Sequence, residues 1–363
     1  MVVFRLRLVE FPMPTGSTNP DVLLAWLLDS MGLVRRKSEG GGIDEGQGAL
    51  HRIMTEAFLK EPLGGWDAKS LCEVTGLSQT GIHHQLVKLR ECGLISSNTD
   101  GGWHIHVLRG GSISSAVELV TNEARTVLKL RMKELSDSIS QSDERMVVTA
   151  PDEILPFRIM ISEPGPISED DGHLESLARD LGLSGERART GDSLASKILI
   201  ELCTSSEPRT ILALSDKMGE TRSRVGRSVD KMRVAGLVER VPMMSRIAQD
   251  IFVGVMRQFD ARGEEWLMTR GGLGRIDDDT SKKLISGAKS KSLSIERVEE
   301  ILSDIEIDSQ KILLNTLGGR MPYGFRISGK DGDMVTENVM RSTDRTLRRL
   351  KTVSQRLEDA ISG

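Results

Sequence analysis

The chain carries one layout twice, and a duplicated layout restricts the fold more than any single motif does. Phe4-Arg-Leu-Arg-Leu-Val-Glu10 parallels Phe157-Arg-Ile-Met-Ile-Ser-Glu163. Both alternate apolar and polar residues with the period of a half-buried strand. A proline-containing turn follows each, then a helix ending at Met31-Gly-Leu33 or Leu181-Gly-Leu183, with Leu24 and Leu27 matching Leu174 and Leu177. A second helix is expected at 49–59 and again at 193–203.

Two short helical patterns joined by a tight turn come next. In the first copy they occupy 67–75 and 79–92 around Gly76-Leu77-Ser78; in the second, 210–218 and 222–235 around Gly219-Glu220-Thr221. Leu71 and Leu214 mark the inner face of the first helix. Gly76 and Gly219 fall where positive φ is wanted, and Ser78 and Thr221 stand where a side-chain oxygen can cap the next helix. Ile82, Leu86 and Leu89 recur as Val225, Val229 and Met232, a single buried stripe. Both helices then stop at glycine and enter a strand, as Cys92-Gly-Leu-Ile95 and Ala235-Gly-Leu-Val238.

In the first copy that strand turns through Asn98-Thr-Asp-Gly-Gly102 into a return strand at 103–108, with the residues a hairpin requires. In the second, a returning strand does not occur until Tyr323-Gly-Phe-Arg-Ile327, so residues 242–321 read as an insertion between the two strands. A long helix closes each copy. Val117, Leu128, Leu135 and Ile139 match Val339, Leu350, Leu357 and Ile361, each pair 222 residues apart, and each helix offers the other an apolar edge.

A helix–turn–helix followed by Gly-Leu-Ile and a hairpin resembles the winged helix–turn–helix superfamily, in particular regulators of the ArsR and MarR type. The fold expected is mainly α with small β-wings (α+β), a tandem pseudo-dimer of winged units with a long C-terminal helix in each half. The domains expected are a strand and helix with a linker (1–45), winged unit one (46–112), its pairing helix (113–146), the second strand and helix (152–190), winged unit two (191–241 with 322–331), the insertion (242–321) and the last pairing helix (332–363). The resemblance implies double-stranded DNA as partner, with two recognition helices in successive major grooves about 34 Å apart.

Composition narrows the classes without choosing among them. There are 49 Lys+Arg against 53 Asp+Glu, so a DNA-binding reading rests on local patches rather than on the global field. No apolar run approaches the length of a membrane span, and the N-terminal segment is broken by charges and prolines. Three cysteines (Cys72, Cys92, Cys203) do not make a disulfide framework and point to a reducing compartment. The expectation is a cytoplasmic, nucleoid-associated protein with no membrane partner.

The local patch sits on the second copy's recognition helix, which carries Arg222, Arg224, Arg227, Lys231 and Arg233 beside Ser223. Arginine there can take phosphates or pair with guanine edges, so substituting Arg224 or Arg227 is expected to weaken DNA binding. The first copy offers Gln79, Thr80, His83, His84, Gln85 and Lys88. Period-two alternation turns His104 and His106 outward from the wing and matches His106 with Arg326, a pair of expected phosphate or minor-groove contacts.

Other patterns point elsewhere and carry less. His83, His84, His104 and His106 fall in one unit, but no carboxylate or thiol joins them at a metal-site spacing; Cys72 and Cys92 match Ser215 and Ala235 and read as small core residues. Gly324-Phe-Arg-Ile-Ser-Gly-Lys330 nearly spells a phosphate loop, yet Asp331 stands where Ser or Thr should be. Gly271-Gly-Leu-Gly274 and the 34–48 stretch read as loop and linker, and Asp277-Asp-Asp279 as a helix start.

No nucleophile–base arrangement, cofactor motif or metal site is expected, and so no catalysis. The function expected is sequence-specific DNA binding in transcription control. Recognition of an archaeal-type replication origin and protein docking in chromosome architecture are the alternatives. The insertion (242–321), with 12 Lys+Arg and 13 Asp+Glu, is a candidate homodimer or protein-partner surface.

Overall fold

The computed structural model describes residues 3–34, 48–100, 103–165, 173–184 and 194–363. It is mainly helical with three small antiparallel sheets. The linker expected at 34–48 lies, from residue 35 to 47, outside the described residues, as does the tip of the first hairpin at 101–102.

The first copy runs β1 (Arg5–Val9), α1 (Pro20–Ser30), α2 (Ala49–Ile53, continued by a π-turn to Phe58), α3 (Ala68–Thr75), α4 (Gln79–Glu91), β2 (Ile95–Asp100), β3 (Trp103–Leu108) and α5 (Ile113–Ser136). The second repeats it as β4 (Arg158–Ser162), α6 (His173–Asp180), α7 (Leu194–Thr204), α8 (Ile211–Met218), α9 (Arg222–Val234), β5 (Val238–Pro242), then, after the insertion, β6 (Tyr323–Ile327) and α14 (Gly332–Ser362). The insertion holds α10 (Met244–Thr269, kinked at Gly263), α11 (Asp278–Lys289), α12 (Ile295–Leu302) and α13 (Ile307–Thr316). Its core, built on Ile247, Ile251, Leu284, Val298 and Leu313, is separate from the main one.

The two copies share one core because their equivalent elements pair with each other. β1 pairs antiparallel with β4, and in that register Arg7 faces Met160. These are the same position of the repeat once Phe4 is aligned with Phe157. α5 lies antiparallel along α14: Ser114 N–H donates to Glu358, Lys351 pairs with Glu118, and the Thr336 hydroxyl donates to the Met132 carbonyl. Midway, Arg125 Nε meets Asp344 Oδ1 at 3.0 Å.

The helix caps Ser112 and Asp331 align those two residues with each other as well. A position that pairs with its own equivalent lies on a two-fold axis, so the axis relating the copies passes through both pairs. The caps are 219 residues apart, which corrects the spacing of 222 expected for the long helices. Three residues is nearly one helical turn, so the same apolar stripe satisfies either alignment.

Each long helix also packs across the axis. α14 lies on α1 and β1, and α5 on β4 and α6. The second contact contains a buried ion pair, Arg131 to Asp180 at 2.9 Å. Burial pushes the Asp180 carboxyl up while Arg131 opposes the shift. The equivalent positions, Leu350 and Ser30, are buried and uncharged.

Arg145 ties the junction together and has no counterpart in the sequence reading. It is fully buried and meets no carboxylate among the described residues. It donates to the carbonyls of Cys203, Ser205 and Ser140, and to the Ser140 hydroxyl, at 2.8–3.2 Å. The end of α7 and the chain leaving α5 are thereby fastened to one side chain, and burial lowers its pKa. Replacing Arg145 with Met should cost about 3–5 kcal/mol, since these carbonyls lose their donor; a denaturation midpoint close to that of the unmodified chain would contradict this.

Gly182 makes the close approach that seats α6 on the sheet. Its φ is +72°, and a Cβ added there would lie 2.6 Å from the Met160 Cβ; Gly32 stands in the same relation to Arg7. Gly182→Ala is expected to lose about 2–4 kcal/mol from left-handed strain and overpacking together, readable by thermal or urea unfolding.

Candidate nucleic-acid interface

Local chemistry fixes the two helix–turn–helix segments alike. Asp67 and Thr210 cap α3 and α8 through Ser70 N–H and Ala213 N–H. Both helices end at a glycine with φ +66°, Gly76 and Gly219, a conformation costly for any residue with a Cβ. Ser78 and Thr221 then cap α4 and α9 through Gly81 N–H and Arg224 N–H. Ile82, Leu86, Leu89 and Val225, Val229, Met232 are buried. Both helices end with the same pair of bonds: Gly93 N–H to the Arg90 carbonyl and Leu94 N–H to that of Leu89, matched by Gly236 to Arg233 and Leu237 to Met232.

With that stripe inward, the first turns of α4 and α9 face solvent. Gln79, Thr80, His83 and His84 are exposed on one helix; Arg222, Ser223, Arg224 and Arg227 are exposed on the other. Among the described residues Arg222 and Arg227 have no carboxylate partner; Arg227 Nε donates to the Ser223 carbonyl. Arg224 pairs with Glu220 one turn earlier. Lys231 is half-buried and donates to the Ser184 carbonyl at 3.0 Å. Lys88, at the equivalent position, is half-buried too.

The cationic character of this face is smaller than the sequence count suggests. Arg233 pairs with Glu153 and Asp230, and Arg240 with the same Glu153, a residue of the segment joining the two copies. Arg240 also stacks over the Tyr323 ring at 3.6 Å.

His106 and Arg326 are not where the sequence reading put them. The pairing of Ile95 with Leu108 and of Val238 with Ile327 makes Phe325, not Arg326, the counterpart of His106. The bridges from Trp66 to His106 and from Arg209 to Phe325 say the same. His106 and Phe325 therefore occupy the same face of their strands, and Arg326 the opposite one.

His106 points inward, 4% exposed, with Nδ1 at 2.6 Å from the Ser97 hydroxyl. Arg326 is also 4% exposed, paired with Glu239 and donating to the Val148 carbonyl. Neither side chain is available to a phosphate. His104 is exposed. Among the described residues no three His, Cys, Asp or Glu side chains gather as a metal site, and no helix is long and apolar enough to cross a membrane. Of the near phosphate loop, Gly324 lies within β6 between Tyr323 and Phe325, and Gly329 and Lys330 follow the strand into the cap of α14. Cys92 and Cys203 are buried, and burial lifts both thiols to about 12.

No family model, no curated protein and no solved structure matches the chain, so the reading of this face rests on its own geometry.

Burial depresses the His106 pKa to about 4, with Arg90 adding to the shift. The unfolded imidazole titrates near 6.5, so between pH 6.5 and 4 the unfolded state holds more protons and stability falls as pH falls. The decline from this residue should approach about 3 kcal/mol at pH 4. His106→Phe, which installs the residue found at the equivalent position, should flatten that part of the profile; an unchanged profile in urea titrations from pH 7 to 4 would contradict the assignment.

Proposed function

We propose that this chain is a sequence-specific double-stranded DNA-binding protein, acting in transcription control, in which two winged helix–turn–helix units form a pseudo-dimer within one polypeptide. The reading rests on one observation above all. The second helix of each capped helix–turn–helix presents its first two turns to solvent, and in α9 those turns carry Arg222 and Arg227 without carboxylate partners among the described residues. Such a helix can enter a major groove from its N-terminal end, where arginine pairs with guanine O6 and N7 or with phosphate.

The internal two-fold supports the same reading, because it relates α4 and α9 as the recognition helices of a dimeric regulator are related. The copies differ in chemistry. α9 offers arginines to the groove; α4 offers Gln79, Thr80, His83 and His84, suited to adenine edges and phosphates. The site expected is therefore two-part and asymmetric, with α9 supplying most of the affinity.

Selection from random duplexes with the purified chain, followed by titration of the enriched sequence across salt, tests this. An asymmetric two-part site with a salt slope of several phosphates is the expected result. Arg222→Ala and Arg227→Ala should each weaken that site by about 1–3 kcal/mol. Binding without enrichment, or affinity unchanged in both variants, would overturn the proposal in favour of a protein-docking role.

A further inference from the structure

The insertion repeats the helix–turn–helix plan a third time. α10 packs on both α11 and α12, as α7 does on α8 and α9. α11 ends at Lys289 with Ser290 as its cap, and Lys291 takes the left-handed conformation (φ +54°) that Gly76 and Gly219 take in the two copies. Leu293 is buried directly before the cap, where Leu77 precedes Ser78. Ser294 caps α12 through Arg297 N–H at 3.2 Å. Val298 and Leu302, four and eight residues after the cap, are buried like Ile82 and Leu86. The turn is two residues longer than in the copies, 290–294 against 76–78 and 219–221.

Charge is segregated along this unit. From Thr280 to Ile295 there are four lysines, five serines and no acidic residue. The acids lie at the far start of α11 (Asp277, Asp278, Asp279) and on α12 (Glu296, Glu299, Glu300). Between α11, the turn and α12 is a cleft of about 580 Å³, with Lys282, Lys283, Ser286, Ser292 and Arg297 on its walls. All five are exposed. Lys283 pairs with Asp279 and Arg297 with Glu300; Lys282 has no carboxylate partner among the described residues. The first turn of α12 is already served by Glu296, whose carboxyl is held low by its own N–H and the Ser294 hydroxyl, so an anion here is met by side chains.

We infer that this cleft is a third DNA contact, taking phosphates of the duplex backbone beside the site read by α9. The inference rests on the DNA-binding reading above. Three glutamates on α12 keep that helix out of a groove, which leaves α11 and the turn to meet the backbone. The insertion leaves β5 at Pro242 and returns at Tyr323, neighbours at the outer end of the β5–β6 sheet. It is thus carried on the wing of the arginine-bearing unit. A contact of lysine and serine with phosphate adds affinity without sequence preference.

The test uses the full chain with Lys282→Gln and Lys283→Gln together, with Ser292→Asp as a second variant and Lys311→Gln on exposed α13 as a control. Affinity for the selected duplex and for an unrelated duplex is measured across salt. The double variant should bind both duplexes roughly tenfold more weakly, with a salt slope shallower by about 1–2. Ser292→Asp should weaken both duplexes alike, and Lys311→Gln should change neither. Wild-type affinity and slope in both cleft variants would overturn the third contact while leaving the two-unit reading intact. Failure of the unmodified chain to bind DNA would overturn both.

Discussion

The antiparallel contact between α5 and α14 is the constraint on which the rest depends. Each long helix leaves its own hairpin, crosses the axis and covers the strand and first helix of the other copy. Neither copy closes its core alone, and the buried residues of both belong to one cluster. The positions of α4 and α9 relative to each other follow from this. They are held by a shared interior rather than by a flexible tether, so the spacing of the two presented faces is a property of the core.

The segments legible in the sequence are those whose determinants are local. Caps, glycine stops and the i, i+4, i+7 stripes of α4 and α9 lie within fifteen residues of one another, and β6 at Tyr323–Ile327 falls where alternation alone places it. Alignment over longer distances is less constrained. An apolar stripe on a helix tolerates a shift of three residues, so the long helices left their own spacing undetermined. On a strand, one residue is decisive: alternation alone turns His106 outward where it faces the core, and matching Arg326 to it sets the two copies one residue out of step. The pairing of β1 with β4 leaves no local trace, because either strand would read the same beside any partner.

Arg145 shows a different kind of illegibility. A buried arginine is expected beside a carboxylate, and pattern reading looks for that partner. Apart from the Ser140 hydroxyl, its acceptors here are backbone carbonyls, at positions where side-chain identity does not report them. Arg233 and Arg240 present the converse case. Their charges are plain in the sequence, but Glu153, about eighty residues earlier, accepts both. Counting basic residues on a helix measures the field only after distant acids have been placed.

The Arg125–Asp344 pair has a consequence for how such a chain assembles. In a dimer of identical subunits, a residue on the axis must face itself, and an arginine there would face an arginine. Fusing the copies frees the two positions to differ, and here they carry opposite signs. Arg131 against Asp180, with Leu350 and Ser30 at the mirrored positions, departs from symmetry in the same way. Were the halves made as separate polypeptides, the first pairing with itself would set Arg125 against Arg125, and the second Asp344 against Asp344. Only the mixed pair restores attraction. Because this pair is partly solvated, the preference is a bias of about 1 kcal/mol or less. Its direction is set, and favours one half of each kind over two of the same.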